Sequence, residues 1–208
     1  MSSLNVKNLN VTINGSHILQ GVDFQVPENK VTALLGRNGV GKSTTLKAIM
    51  GLHESTGSIT FGETEVVGMQ THKIVHLGMG YVPEDREKHG LVANYSIADN
   101  LVLNQFDQEP FAKGWVRNLG EVANNALSLV EKFDIRTPSA FNTAGSLSGG
   151  NKQKVVVARE LSQELPVLVA AQPTRGVDVG SIEFIHNQLI AARDKGAGVL
   201  LVSAELDE

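Results

Sequence analysis

The segment Gly36-Arg37-Asn38-Gly39-Val40-Gly41-Lys42-Ser43 fits the pattern G-x-x-x-x-G-K-[ST], and Thr44 follows it directly. Glycines at this spacing let the backbone fold so that successive N–H groups converge on phosphate oxygens. In this pattern Lys42 reaches the β- and γ-phosphates, and the Ser43 hydroxyl ligates Mg²⁺. An apolar run precedes the segment and a helical pattern follows it, as a phosphate-binding loop requires. Residues 36–44 therefore predict a site for ATP with Mg²⁺.

Apolar runs and helical patterns alternate outward from this loop. Residues 30–35 (KVTALL) and 166–171 (PVLVAA) lack polar alternation, which is typical of strands buried on both faces, and residues 199–203 indicate another such strand. Helices are predicted over 42–50 and 148–163. Buried strands that alternate with helices predict an α/β fold with a parallel sheet, here of the P-loop NTPase type.

The beginning of the chain has a different period. Within the first 30 residues, apolar side chains alternate with polar ones between Asn and Gly turns, which predicts an N-terminal antiparallel β layer. Residues from about 84 to 150 predict an inserted, mostly helical lobe, in which a capping box at Ser96 and Asp99 opens residues 96–106. We expect a single cassette domain over residues 1–208 that contains this lobe and is truncated after its last strand.

The composition of the 208 residues excludes several classes of site. The chain has no cysteine, so disulfide scaffolds, cysteine-ligated zinc and cysteine nucleophiles are excluded. The formal net charge is −4 and no Lys/Arg block stands out, which disfavours nucleic acid as a partner. No apolar run reaches the roughly 18–20 residues that a bilayer span needs, and the first residues lack the pattern of a secretory signal. These features predict a soluble cytoplasmic protein.

A second glycine motif follows the predicted lobe. Leu147-Ser148-Gly149-Gly150-Asn151 opens the helix predicted over 148–163, so backbone N–H groups at its N-terminus are placed to bind an anion. With the phosphate loop upstream and the PVLVAA strand downstream, the whole chain resembles the ATP-binding cassette of ABC transporters. The resemblance implies that residues 147–151 are a signature loop, which closes on the γ-phosphate held by another cassette. It also implies that Asp178 belongs to a loop that contacts the partner across the dimer.

The same resemblance implies the setting in which such a cassette works. It implies ATP and Mg²⁺ as cofactors, a second cassette in a dimer, integral-membrane permease subunits and, indirectly, a solute-binding protein. The location it implies is the cytoplasmic face of the membrane, without nucleic acid. Residues 1 to about 83 look most like cassettes of branched-chain amino-acid importers. From about 84 onward, segments such as AAQPTRG and VSAELDE resemble the second cassette of nucleoside and sugar importers, which implies a nucleoside or a sugar as the solute.

The chain departs from the family pattern at the positions that carry hydrolysis. The family has Asp-Glu-Pro-Thr after the PVLVAA strand, and this chain has Ala171-Gln172-Pro173-Thr174. The missing Asp would hold Mg²⁺ and the missing Glu would polarise the attacking water, whereas Gln172 cannot take a proton. Ala204 stands where the family has a histidine that contacts the γ-phosphate. A positioned general base contributes about 10²–10⁴ in rate, so we expect weak hydrolysis at this chain's own site, although the family is an ATPase.

Glu84 stands where the family has the glutamine of the loop that couples the nucleotide to the membrane partner. Two interpretations are open for this side chain. It is either a solvated loop acid or a carboxylate that approaches Mg²⁺ and partly replaces the missing Asp, and in the second case Glu84 joins Ser43 as a metal ligand.

Three functions are open from the sequence. The first is an importer cassette that hydrolyses ATP poorly at its own loop and lends its signature loop to a partner site. The second is an active ATPase for the import of branched-chain amino acids. The third is an ATP-gated clamp outside transport, which the acidic balance and the importer-like segments disfavour.

Overall fold

A computed structural model gives the fold of residues 2–37 and 39–203, which therefore exclude Asn38 and Ala204. The chain divides into two compact units. The first comprises Met1–Glu84, Glu164–Gln172 and Gln188–Glu208, and the second comprises Asp85–Gln163 and Pro173–Asn187. None of the helices in the described part of the chain has the length and apolar content that crossing a membrane requires. The single domain with a lobe at 84–150 stays a prediction.

The regular elements follow one another along the chain without long gaps. The strands are β1 Ser2–Ile13, β2 Ser16–Pro27, β3 Val31–Leu34, β4 Thr56–Phe61, β5 Thr64–Glu65, β6 Met79–Val82, β7 Ala112–Lys113, β8 Val116–Arg117, β9 Val167–Ala171 and β10 Gly198–Val202. The α-helices are α1 Lys42–Ile49, α2 Thr71–His76, α3 Ile97–Asn100, α4 Leu119–Lys132, α5 Gly149–Glu160 and α6 Val179–Asp194. A π-helical turn spans Arg86–Gly90, and a 3₁₀ turn spans Ala144–Ser146.

The predicted antiparallel layer is confirmed. Its strand order is β2-β1-β4-β5, and the alternating apolar residues of β1 are buried. The alternation slips by one residue between Val6 and Leu9, where the pairing of β1 with β2 shifts register. Asn8 lies at this β-bulge with φ +49°, and its N–H donates to Asp23 Oδ1 at 2.8 Å. The bulge keeps both apolar segments of β1 on the same face of the sheet.

The parallel sheet of the first unit is also confirmed, with one correction. Its order is β3-β10-β9-β6, and neighbouring strands pair in parallel. All of β9 is buried, as predicted. The prediction that the strand at 30–35 is buried on both faces is wrong, because Val31 of β3 is 43% exposed. Within the described residues β3 pairs only with β10, so it is an edge strand with one uncovered side.

This sheet places three chain segments at one edge. The loop at 36–41 follows β3, Glu84 follows β6, and Gln172 follows β9. The carboxyl ends of parallel strands meet at the same edge of a sheet, which is where α/β folds bind ligands. The buried core beneath this edge contains Leu46 and Ile49 of α1 together with residues of both sheets.

The second unit is built around α3, α4 and α5. The spacing of Val122, Ala126 and Leu129 predicts their common face correctly, since all three are buried on α4. Half of the predicted capping box is confirmed, because the Asp99 N–H donates to Ser96 Oγ at 3.0 Å. The Asp99 carboxylate accepts from the Ser96 hydroxyl at 2.6 Å. The regular helix behind it ends at Asn100 rather than running to residue 106. The Asn100 side chain turns back to bond both the N–H and the carbonyl of Val92.

A short hairpin in the second unit was not predicted. It consists of β7 and β8, paired antiparallel around Gly114 and Trp115. Gly114 has φ +59°, so the Gly-Trp dipeptide is a turn signal. Strands of this length have too few residues to show a period of two, which is why the pattern is not visible in the sequence.

Gly57 provides a test of the packing between β4 and the bulge of β1. Its φ is +106°, and a Cβ would lie 2.3 Å from the Asn8 carbonyl oxygen. We expect Gly57→Ala to lower the free energy of unfolding by about 2–5 kcal/mol, because backbone strain and overpacking add. Gly62→Ala is the matched control, since Gly62 has φ +57° and no described atom lies within 4 Å of its Cβ position. This change should lower the free energy of unfolding only through backbone strain, by about 1–2 kcal/mol. Urea unfolding of both variants measures the difference, and equal costs would contradict the packing.

Candidate functional site

The glycine loop enters α1 through backbone conformations that favour glycine. Gly39 has φ +85° and Gly41, the N-cap of α1, has φ +92°. A Cβ on Gly41 would also lie 2.6 Å from Leu19 Cδ2, so this position requires glycine for space as well as for conformation. No side chain caps α1. The N–H groups of its first turn therefore remain available for an anion.

Lys42 lies back over the loop. Its Nζ donates to the carbonyl oxygens of Gly36 and Arg37, the latter at 3.0 Å. Both acceptors are neutral backbone groups, which a phosphate oxygen can replace with a stronger charge-assisted bond. The cation is thus held beside the loop in the position that the sequence pattern predicts. Val40 is exposed, Thr44 is half-buried, and Asn38 lies outside the described residues.

Glu84 connects the loop to the end of β9. The Ser43 hydroxyl donates to Glu84 Oε2 at 2.8 Å, and the Gln172 amide Nε2 donates to Glu84 Oε1 at 2.8 Å. One carboxylate therefore joins the residue that the motif assigns to Mg²⁺ and the residue at the position of the missing base. Glu84 is half-buried, and both interpretations of its side chain stay predictions, of which these contacts favour the second.

The oxygen atoms of Ser43 and Glu84 suit Mg²⁺. Mg²⁺ prefers oxygen ligands and is usually held by one or two protein groups, with water and phosphate oxygens completing the shell. In the described part of the chain, no group of three or more His, Asp and Glu residues could hold a metal by itself. Ala171 is 1% exposed and belongs to the apolar core, so it contributes no ligand. A bound Mg²⁺ would need Ser43, Glu84 and the phosphates.

Gln172 has an unusual backbone conformation for its residue type. Its φ is +45°, and its N–H donates to the Val202 carbonyl oxygen at 2.7 Å. Strained conformations of this kind cluster at functional sites, where surrounding bonds hold them in place. The conformation directs the amide at Glu84, and an amide can orient water but cannot accept its proton. Ala204, the third predicted departure, lies outside the described residues.

The pKa of Tyr81, near the end of β6, depends on the charge of Glu84. Burial raises the pKa of the Tyr81 hydroxyl to about 12, and the negative charge of Glu84 adds to the shift. Both effects disfavour the tyrosinate anion. The pKa of Tyr81 therefore reports whether a carboxylate lies at position 84.

The second glycine motif forms the N-terminus of α5. Ser148 is the N-cap, and its Oγ accepts from the backbone N–H and the side-chain amide of Asn151 at 3.4 and 3.0 Å. Gly149 and Gly150 form the first turn, and Leu147 precedes the cap half-buried. This arrangement matches the predicted helix start. The Ser148 hydroxyl is oriented by Asn151, while the N–H groups of the two glycines point out of the helix end as an anion site requires.

Asp178 lies against the same glycines. It caps α6 by accepting from the Ser181 N–H at 3.0 Å and the Ser181 hydroxyl at 2.9 Å. These hydrogen bonds, led by that of the Ser181 backbone, hold the pKa of Asp178 below its usual range. A Cβ on Gly150 would lie 2.5 Å from Asp178 Oδ2, so the second glycine leaves the space that this carboxylate occupies.

The structure thus groups the predicted site residues into two sets. The glycine loop, Glu84 and Gln172 meet in the first unit, and the second glycine motif and Asp178 meet in the second. Sequence analysis missed Ser181, although Asp178-x-x-Ser181 is a recognisable helix start. It also missed Arg86, whose partners lie about 90 residues away along the chain, beyond the reach of any local pattern.

Comparisons with known proteins identify relatives of this chain. A family model described as ABC transporter matches residues 19–175. The guanosine import ATP-binding protein NupO of Bacillus subtilis is 38% identical over 93% of this chain and 38% of its own length. The nucleoside import ATP-binding protein NupA of Lactococcus lactis is 38% identical over 99% of this chain and 41% of its own. The glucose import ATP-binding protein TsgD13 of Haloferax volcanii is 37% identical over 99% and 38%. The chain spans about two fifths of the length of these relatives.

Solved structures confirm the fold. The nucleotide-free structure of an ATP-binding cassette from an ABC transporter superposes with a TM-score of 0.83 at 25% identity, over 100% of this chain and 83% of that one. The dimeric structure of a bacterial ABC transporter cassette superposes with a TM-score of 0.82 at 22% identity, over 98% and 89%. The predicted α/β fold of the P-loop NTPase type, with an antiparallel layer, is therefore correct.

The titration of Tyr81 tests the position of the Glu84 charge. We expect Glu84→Gln to lower the pKa of Tyr81 from about 12, while burial keeps it above the ordinary value near 10. Tyrosinate absorbance in a Tyr95→Phe background isolates the signal, because the chain has only two tyrosines. A raised pKa in the folded state means that Tyr81 supports stability below about pH 10 and loses this contribution as the pH rises through 12. Glu87→Gln is the control, and an unchanged pKa in Glu84→Gln would contradict the assignment.

Proposed function

The chain belongs to the ABC transporter family, and from this premise we propose that it is the ATP-binding part of an importer. In this function it couples the binding and hydrolysis of ATP to the uptake of a solute. The observation that carries the proposal is the loop at 36–44, in which Lys42 is held over the loop and Ser43 bonds Glu84. ATP binds through the N–H groups of this loop, and Lys42 exchanges its carbonyl partners for phosphate oxygens.

The relatives support a nucleoside or a sugar as the solute. The names of the relatives compared above specify guanosine, nucleoside and glucose import, and all three alignments cover nearly the whole chain. The proposed partners are permease subunits in the membrane, a second ATP-binding cassette and, indirectly, a solute-binding protein. The proposed location is the cytoplasmic face of the cell membrane.

At its own site the chain binds ATP but hydrolyses it slowly. When bound, Mg²⁺ neutralises charge on the β- and γ-phosphates, and Ser43 and Glu84 are the residues that hold it. Gln172 orients the attacking water without accepting its proton, and Ala171 offers no second carboxylate. The missing base corresponds to about 3–5 kcal/mol of barrier, which supports slow turnover of the isolated chain.

The signature loop, by contrast, has all the groups that its role requires. Ser148, Gly149 and Gly150 form a capped helix N-terminus, and preorganised donors of this kind stabilise charge that develops on a phosphate. A complete signature loop in a chain with an incomplete hydrolytic site is useful if the loop serves ATP bound to another cassette. We therefore place the catalytic contribution of this chain in trans.

Restoring the family pattern should restore hydrolysis, and the Glu84–Gln172 contact determines how. Gln172→Glu alone would place the new carboxylate at hydrogen-bond distance from that of Glu84. Their repulsion raises the pKa of one of them, so one proton stays on the pair and the base is disfavoured. We expect Ala171→Asp together with Gln172→Glu to raise turnover more than either change alone. With Glu84→Gln added, the triple change should turn over ATP about 10²–10⁴ times faster than the unchanged chain. Single-turnover ATPase assays measure the effect. A higher rate with Gln172→Glu alone than with the triple change would contradict the role given to Glu84.

A mixture of two variants of this chain tests the function in trans. The acceptor copy carries the triple change and Ser148→Arg, so it can hydrolyse ATP only with a signature loop from elsewhere. The donor copy is the unchanged chain. We expect slow turnover from either copy alone and turnover faster by about 10²–10³ from the mixture, because the donor supplies the missing contacts.

The controls for the mixture are changes in the donor copy. Ser148→Arg in the donor should abolish turnover, whereas Ser146→Arg, at an exposed position two residues earlier, should not. Lys42→Ala in the donor should weaken its own ATP binding by about 1.5–3 kcal/mol and leave most of the turnover. Equal losses from Lys42→Ala and Ser148→Arg would mean that turnover needs the donor's own phosphate loop as much as its signature loop, and the proposal would then be wrong.

A further inference from the structure

Arg86 connects the π-helical turn Arg86–Gly90 to the segment that precedes α6. Its Nη1 donates to the Arg175 carbonyl oxygen at 2.7 Å, and its Nη2 donates to the Gly176 carbonyl oxygen at 3.0 Å. Two adjacent carbonyls are a target for the planar fork of a guanidinium, and the point charge of an ammonium cannot match them in the same way. The site is therefore specific for arginine.

The same guanidinium lies directly against the signature loop. A Cβ on Gly149 would lie 2.9 Å from Arg86 Nη2 and 3.5 Å from the Gly176 carbonyl oxygen. Gly149 has ordinary helical φ and ψ, unlike the glycines of the phosphate loop. Its lack of a side chain thus serves space and not conformation. The space is the one that Arg86 occupies.

The turn that carries Arg86 is itself fixed along α5. Asp85 accepts from the N–H groups of Glu87 and Lys88 at 3.1 Å each and so caps the turn. Lys152 Nζ, one turn into α5, donates to Glu87 Oε1 at 2.8 Å, and its side chain is only 14% exposed. Farther along the helix, Arg159 donates to the Gly90 carbonyl oxygen at 2.8 Å. Arg86 is thus supported on a turn that is anchored to α5 at both ends.

One donor of Arg86 remains unsatisfied. Its Nε is buried and has no hydrogen-bond partner among the described residues. A buried donor without a partner lowers stability, whereas the two bonds from the same guanidinium to backbone carbonyls raise it. The arrangement makes sense if the guanidinium has a task that requires its shape at this place.

We propose that Arg86 is a positioning residue of the signature loop, an inference that rests on the proposed function of that loop in trans. The guanidinium fixes Gly149 and the 175–176 segment relative to each other. Asp178, which follows that segment, packs on Gly150 in turn. The N–H groups of both glycines are therefore held between two side chains. A shift of 1 Å in such donors can reduce a rate about 10²-fold.

The first experiment measures the loop without a partner and without turnover. Amide hydrogen exchange of residues 148–151 is followed in the unchanged chain, in Arg86→Met and in Arg86→Lys. We expect faster exchange of the Asn151 amide, which donates to Ser148 Oγ, in Arg86→Met, by about tenfold or more, and a smaller increase in Arg86→Lys. Arg193→Met is the matched control, because the Arg193 guanidinium bonds the neighbouring Asp194 and not the signature loop. Unchanged exchange in Arg86→Met, with a native melting transition, would overturn the proposal.

The second experiment tests the consequence for catalysis. Arg86→Met is placed in the donor copy of the mixture described above. We expect kcat to fall about 10²-fold with an unchanged KM for ATP, because the ATP that reacts is bound by the acceptor copy. Arg86→Lys should recover part of the rate, and millimolar guanidinium should recover part of the rate of Arg86→Ala. The donor's own affinity for ATP should not change.

The outcomes separate this inference from the proposed function. If the unchanged donor supports no turnover in the acceptor, the function in trans is wrong, while the exchange experiment still decides whether Arg86 orders the loop. If the unchanged donor works and Arg86→Met works equally well, Arg86 is not a positioning residue. A fall in the donor's own ATP affinity would also overturn the inference, since it would place the effect of Arg86 at the phosphate loop.

Discussion

The carboxylate of Glu84 is the interaction on which the chemistry of the first unit depends. It accepts from Ser43 and from Gln172 at 2.8 Å each, and so it joins the ends of β6 and β9 to the start of α1. The family pattern has an amide at position 84 and an acid at position 172. This chain has the acid at 84 and the amide at 172. Either order gives one hydrogen bond between an amide and a carboxylate. The difference is the location of the carboxylate, which here lies beside Ser43 of the proposed metal site and not where a base would accept a proton from water.

The sequence predicts this half of the molecule well wherever a short-range pattern determines the structure. The glycine loop, the period of two in β1 and the apolar run of β9 each reflect a local requirement, and each is found as expected. The burial of β3 is predicted wrongly because its apolar run resembles that of β9. Apolar composition determines that both segments form strands, but the position within the sheet determines how much of each is covered. The extra residue between Val6 and Leu9 is visible in the sequence, yet only the shifted pairing identifies it as a bulge.

In the second unit the decisive contacts are distant along the chain, which explains why the sequence revealed less. Gly149 and Gly150 are adjacent and look alike in the motif, but different neighbours require them. The guanidinium of Arg86 excludes a side chain at Gly149, and the carboxylate of Asp178 excludes one at Gly150. The sequence identifies Asp178 only through the family resemblance, and it does not identify Arg86. Both residues become understandable once the folded chain places them on the two sides of one helix end.

These two side chains also explain why the second unit keeps features that lower its stability. Two glycines in the first turn of α5 lower its helix propensity, by about 0.5–1 kcal/mol each, and the buried Nε of Arg86 has no partner among the described residues. A loop that served only to start a helix would need neither the two glycines nor a guanidinium at position 86. The observed geometry instead leaves the N–H groups of the two glycines uncovered between the Arg86 guanidinium and the Asp178 carboxylate. That arrangement suits an anion that arrives from outside the chain, which is what the proposed function in trans requires.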